Sequence, residues 1–161
     1  MKKLLYILGV VAMLALPMAA RTVNYPPVRL NATDNRECRV TVCGVDLLPD
    51  STVVRLSVKF KPEWWIRISK NTYIQAGTET YPLTNTVGIG IDKEHWMPKS
   101  GVAEFDLIFP PLPAGTKSID LVESKEWQFL GIDVTDAKER RQYFADSPKT
   151  QACTTTRICR R

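Results

Sequence analysis

Four cysteines, one histidine, a few carboxylates and a scatter of aromatic rings are the residues of this 161-residue chain with chemistry within reach. Cys38 and Cys43 have four residues between them, and Cys153 and Cys159 have five. Structural zinc sites use tighter ligand spacings, and no Cys-x-x-Cys redox pair is present. An even number of cysteines in an exported chain favours disulfides. If residues 38–43 form one strand, its ends lie about 16 Å apart, too far for a bridge. Pairing Cys153 with Cys159 would strand the first pair. Two bridges from the tail to the first strand are therefore expected. Antiparallel docking gives Cys38–Cys159 and Cys43–Cys153; parallel docking exchanges them. Free thiols, a four-cysteine zinc site and a redox pair are the competing readings.

His95 stands beside Trp96 and has no second histidine with which to share a metal or a proton. It reads as a loop-packing residue. Glu94, Glu104, Asp106, Asp120 and Glu123 contain no spacing that selects a catalytic pair for glycoside hydrolysis. Gly-x-Ser-x-Gly, His-Glu-x-x-His and phosphate-loop motifs do not occur. The chain thus reads as non-enzymatic, with no cofactor and no metal. Trp64, Trp65, Tyr73, Tyr81, Trp96 and Trp127 are the best binding candidates, as a stacking platform for a sugar or a partner. Trp64, Trp65, His95 and Trp96 are the positions singled out. Adjacent residues of a strand point to opposite faces, so one of Trp64 and Trp65 is expected in the core.

The elements that must position these residues are strands. Residues 102–123 are central. Phe105, Leu107 and Phe109 alternate with Glu104, Asp106 and Ile108, and Ile119 and Leu121 alternate with Ser118, Asp120 and Val122. Between them Pro110, Pro111 and Pro113 stop any regular element, and Ala114-Gly115-Thr116 turns the chain. Residues 38–48 form a strand whose apolar parity changes at Cys43-Gly44, the signature of a β-bulge. Residues 52–60 place Val54, Leu56, Val58 and Phe60 on one face. Shorter strands are predicted over residues 64–69, 73–76, 80–83, 87–91 and 127–134. In the last, Trp127, Phe129 and Gly131 oppose Leu130, Ile132 and Val134. Residues 92–100 read as a loop. Residues 21–36 are an edge strand or a disordered arm, with Asn31-Ala32-Thr33 as an uninformative glycosylation sequon. Residues 135–146 are the one helical stretch, with Thr135 as its cap.

Residues 1–20 have the layout of a secretory signal peptide: Lys2 and Lys3, an apolar run from Leu4 to Leu16, then small residues ending at Ala20. That run falls short of the roughly 20 residues that span a bilayer. Export to the periplasm or the cell exterior is expected, with no membrane attachment after cleavage. Lys2 and Lys3 leave with the leader, so the whole-chain charge of +5 falls to +3 (20 basic, 17 acidic). Lys149, Arg157, Arg160 and Arg161 in the tail account for more than that excess. No basic stripe remains for a nucleic acid.

The expected architecture is all-β: residues 37–134 as one sandwich, followed by residues 135–161 as a helix and a basic cysteine-containing tail. Trp65-Ile66-Arg67-Ile68, Tyr81-Pro82-Leu83, Gly88-Ile89, Trp96-Met97-Pro98, Gly101, Phe105, Leu107-Ile108-Phe109, Pro111-Leu112-Pro113, Lys117-Ser118, Asp120-Leu121-Val122-Glu123 and Gly131-Ile132 carry a resemblance. Over residues 38–134 the chain resembles the immunoglobulin-like domain of exported bacterial proteins. That domain often stands ahead of a thioredoxin-like disulfide oxidoreductase domain. The resemblance implies an immunoglobulin-like β-sandwich with an accessory role. The expected function is a binding or interaction module, with a protein or glycan partner in the periplasm or on the cell surface. A carbohydrate-binding accessory protein and a thiol-redox accessory protein are the alternatives.

Overall fold

The computed structural model describes residues 20–33, 37–136, 138, 139 and 141. Residues 1–19 of the leader, Cys153, Cys159 and seven of the twelve residues of the helix expected over 135–146 lie outside them, and 138, 139 and 141 are helical. The described chain is all-β, with twelve strands in three antiparallel sheets. Strands β1 (Arg21–Asn24), β3 (Arg39–Leu47), β4 (Thr52–Lys59), β10 (Val102–Phe109) and β8 (Asn85–Val87) form the first sheet, in that order. Strands β2 (Val28–Asn31), β12 (Gln128–Asp133), β11 (Ser118–Val122), β6 (Tyr73–Ala76) and β7 (Glu79–Pro82) form the second. Strands β5 (Trp65–Ile66) and β9 (His95–Trp96) make a separate two-stranded sheet.

Period-two alternation explains the core. In β4 the residues Val54, Leu56 and Val58 are buried, and in β10 Phe105, Leu107 and Phe109 are buried. From the second sheet come Ile74, Ile119, Leu121, Phe129 and Ile132, and all of these join one continuous cluster. The two five-stranded sheets thus share a single core. The proline corner works as its residues demand. Leu112 is buried among them, Gly115 has φ 83°, and Thr116 N–H donates to the Pro113 carbonyl at 3.2 Å.

Two bulges set which side chains face inward. In β3 the register slips between Val42 and Gly44, so Val40, Val42, Val45 and Leu47 are all buried despite their change of parity. The second bulge corrects an expectation. In β12 Leu130 and Gly131 together oppose the single Asp120, because Leu121 pairs with Phe129 and Ile119 with Ile132. Phe129, Ile132 and Val134 therefore share the core, rather than pointing to opposite sides. Gly131 takes φ 66°, and its N–H donates to Asp120 Oδ1 at 2.6 Å.

Arg21–Asn24 and Val28–Asn31 form edge strands rather than an arm. β1 pairs with β3 in one sheet and β2 pairs with β12 in the other. Tyr25, at φ 46°, and Pro26-Pro27 make the crossing between them. Residues 92–100 are not all loop, since they supply β9; the strand expected over 64–69 shrinks to Trp65–Ile66, and that over 87–91 is replaced by Asn85–Val87. At the start of the expected helix, Lys138 N–H goes to Asp136 Oδ1 (2.6 Å), while Thr135 turns its hydroxyl back to Asp133.

Candidate functional site

The small β5–β9 sheet begins where Lys61-Pro62-Glu63 ends the run of β4. Glu63 adopts φ 61° and Trp64 N–H closes a turn on the Lys61 carbonyl at 3.3 Å. Met97 N–H then donates to the Trp64 carbonyl at 2.7 Å, and the Met97 side chain is buried. At the other end Ile68 is buried and bridges to Ile91, and Asp92 N–H donates to the Ile68 carbonyl at 2.8 Å. Two carboxylates hold the following turn. Glu123 Oε1 accepts from Ser69 N–H at 2.8 Å and Asp92 Oδ1 from Lys70 N–H at 3.2 Å. The small sheet is therefore anchored at both ends to the body of the fold.

Trp65 pairs across the ladder with Trp96, and Ile66 pairs with His95. Directly opposed residues of an antiparallel pair share a face, with Cβ atoms about 5 Å apart. The two indoles thus form one outward face, with exposures of 46% and 61%. The other face carries His95 and Ile66, and Ile66 packs against the core. Trp64 lies just before β5 and is 53% exposed. Its ring meets Phe60 edge-on (6.1 Å, 84°), and Lys61 Nζ sits 4.2 Å from its centroid.

Of the four positions singled out, Trp65 and Trp96 come together, Trp64 has its own partners, and His95 faces away from the pair. The expectation that one of Trp64 and Trp65 is core is wrong. The chain reaches β5 through a turn, and Ile66 and Ile68 supply the inward side chains instead. Trp127 and Tyr81 pack at the margin of the core, and Trp127 meets Phe129 edge-on at 5.8 Å.

Two of the candidate carboxylates serve backbone donors. Asp120 is occupied by Gly131 N–H and Glu123 by Ser69 N–H. Burial pushes the Glu123 carboxyl up, with a smaller push from Asp92, against the Ser69 N–H and Arg67. Cys38 packs against the core, and Cys43 lies at the β3 bulge. They are not bonded to each other. The Cys43 thiol is pushed up by burial and by Glu104, against a backbone hydrogen bond from Ser57 and the charge of Arg55. Asn31 of the sequon uses its side-chain amide to reach the Val40 carbonyl at 2.9 Å.

Sequence reasoning missed two features. Tyr25, 73% exposed, and Pro26 border an open cleft of about 220 Å³ with Arg39, Val42 and Phe129. A second cleft of about 410 Å³ lies between Lys70, Asn71, Tyr73, Thr80 and Pro82. The first draws on segments distant in the chain, and the second is built within the β6–β7 hairpin, where no motif marks it. Comparison with protein-family models, with curated proteins and with solved structures found no match.

Proposed function

We propose that the protein is an exported immunoglobulin-like β-sandwich. It acts as a non-enzymatic binding module that meets its partner through the Trp65–Trp96 face. Strand order supports the fold reading. Without β1, β2 and the small sheet, the orders β3-β4-β10-β8 and β12-β11-β6-β7 match the A-B-E-D and G-F-C-C′ sheets of immunoglobulin domains. The layout of residues 1–20 supports export.

The observation that carries the functional reading is the exposed cross-strand tryptophan pair. Large aromatic rings held on the surface mark contact sites. These two are raised on a sheet of their own, outside the shared core. The carboxylates support the non-catalytic part of the reading, since Asp120 and Glu123 serve backbone N–H groups. A thiol-redox role has less support, because a reactive cysteine needs a lowered pKa and Cys43 is shifted upward.

A photo-crosslinking residue at Pro98, beside Trp96, tests the reading in the producing cell. Discrete adducts from position 98, and none from the exposed position Val87 on the edge strand β8, are expected. Equal labelling from both positions, or none from either, would sink it.

A further inference from the structure

We infer that the Trp65–Trp96 face binds a neutral saccharide chain. The two indoles would stack on pyranose C–H faces, and Arg67 and Glu94 would hydrogen-bond the hydroxyls. This rests on the proposed reading of the same face as the contact surface.

Area comes first. Trp65 and Trp96 are 46% and 61% exposed. Each then offers on the order of 100 Å². A stable protein interface buries about 800 Å² per partner around an apolar centre. Two indoles rimmed by charged residues fall well short of that, but they match the flat faces of one or two sugar rings. Trp64 does not extend the platform, because Phe60 and Lys61 already engage its ring.

Charge comes second. Within four residues of the pair, Lys61, Arg67, Lys93 and Lys99 are interspersed with Glu63, Asp92 and Glu94, an excess of one positive charge. A rim of such mixed sign does not select a polyanion, which needs a large excess of one sign. Arg67 and Glu94, both exposed, occupy the next same-parity positions beyond Trp65 and Trp96. They place a donor and an acceptor beside the aromatic surface, as a hydroxyl-rich ligand requires. The face is open, not enclosed, so it suits an internal stretch of a chain.

The test is calorimetric titration of the full mature chain with cellohexaose, xylohexaose and mannohexaose, alongside intrinsic tryptophan fluorescence. Saturable binding to at least one of them is expected. Loss of one stacking ring should weaken it about tenfold in Trp65→Ala and again in Trp96→Ala. Val87→Ala should bind like the parent, and each variant should keep the parental urea midpoint within error. Binding indifferent to both tryptophans overturns the inference. So does no binding to any of the three sugars, whether or not the protein self-associates through Trp65. If no sugar binds while position 98 still yields a discrete adduct, the saccharide falls and the binding module stands. If both experiments fail, both readings fall.

Discussion

The Arg55 guanidinium lies directly over Gly44, in space that a Cβ on Gly44 would fill. From there Nη1 reaches Asp46 Oδ2 at 2.6 Å and Nη2 reaches Asn24 Oδ1 at 3.3 Å. One side chain on β4 thus ties together β3 and the edge strand β1. The missing Cβ at the bulge is what lets it cross. The Asp46 side chain is only 16% exposed, and its other oxygen is buried without a partner.

Arg55→Ala should therefore destabilise the fold by about 1–3 kcal/mol, because it leaves a mostly buried carboxylate uncompensated. Gly44→Ala should cost less, about 1 kcal/mol, since only a flexible side chain must move. In the Arg55→Ala background, Asp46→Asn should recover part of the loss. Urea unfolding of the single and double variants checks this. An Arg55→Ala midpoint equal to the parent would show that the ion pair is screened and idle.

Gly131 is a stricter position. It combines φ 66° with a neighbour, Arg29 Cβ, that would lie 2.9 Å from an added Cβ. Gly131→Ala meets both the left-handed backbone penalty and that crowding, so a loss of about 2 kcal/mol is expected. Asp120→Ala should also destabilise, by about 1 kcal/mol, since Gly131 N–H loses its acceptor. Thermal unfolding of the two variants measures both costs. If Gly131→Ala were neutral, the bulge would not be needed to bring Phe129 and Ile132 to the same side.

These two bulges show what was legible. At Cys43-Gly44 the apolar parity changes within a strongly alternating run, so the irregularity is written in the pattern. At Leu130-Gly131 it is not: Leu130, Ile132 and Val134 alternate cleanly, and the bulge follows from the partner, where Asp120 supplies the acceptor. The long strands β3, β4 and β10 were readable because each buries one whole face. β5 and β9 were less so, because two-residue strands have no period to read. Their pairing depends on the Met97–Trp64 hydrogen bond and the buried Ile68, both non-local in sequence. That also hid the exposure of both Trp64 and Trp65.

The N-terminal strands make a third prediction. β1 and β2 cover the edges at β3 and β12, and Asn31 links the two sheets through the Val40 carbonyl. Arg21 Nη2 adds a hydrogen bond to the Thr116 carbonyl at 2.9 Å. Removing residues 21–31 should expose one unpaired edge on each sheet and cause self-association. Sedimentation velocity should then show larger species than the parent gives. Asn31→Ala alone should cost about 1 kcal/mol by urea unfolding and sediment like the parent. A monomeric, fully stable truncation would mean that the two strands are ornaments on a self-sufficient core.

Glu123 gives the pH dependence a sign. Its carboxyl is pushed up, first by burial and then by Asp92, while the Ser69 N–H and Arg67 pull it down. A carboxyl with a raised folded-state pKa binds its proton more tightly in the folded chain than in the unfolded one. Its contribution to stability is then full below the unfolded pKa, near 4.5, and is lost as pH rises through the folded pKa. Glu123→Gln keeps an oxygen to accept from Ser69 N–H and removes the half-buried charge. The variant should unfold at higher urea than the parent at pH 7, and the gap should close as pH falls toward 4. Glu123→Ala should lose stability at both pH values, because Ser69 N–H then has no acceptor. If Glu123→Gln were instead the weaker protein at pH 7, the charge of Glu123, through Arg67, would be stabilising. The turn that anchors the tryptophan-bearing sheet would then be held by an ion pair rather than by a hydrogen bond to a carbonyl-like oxygen.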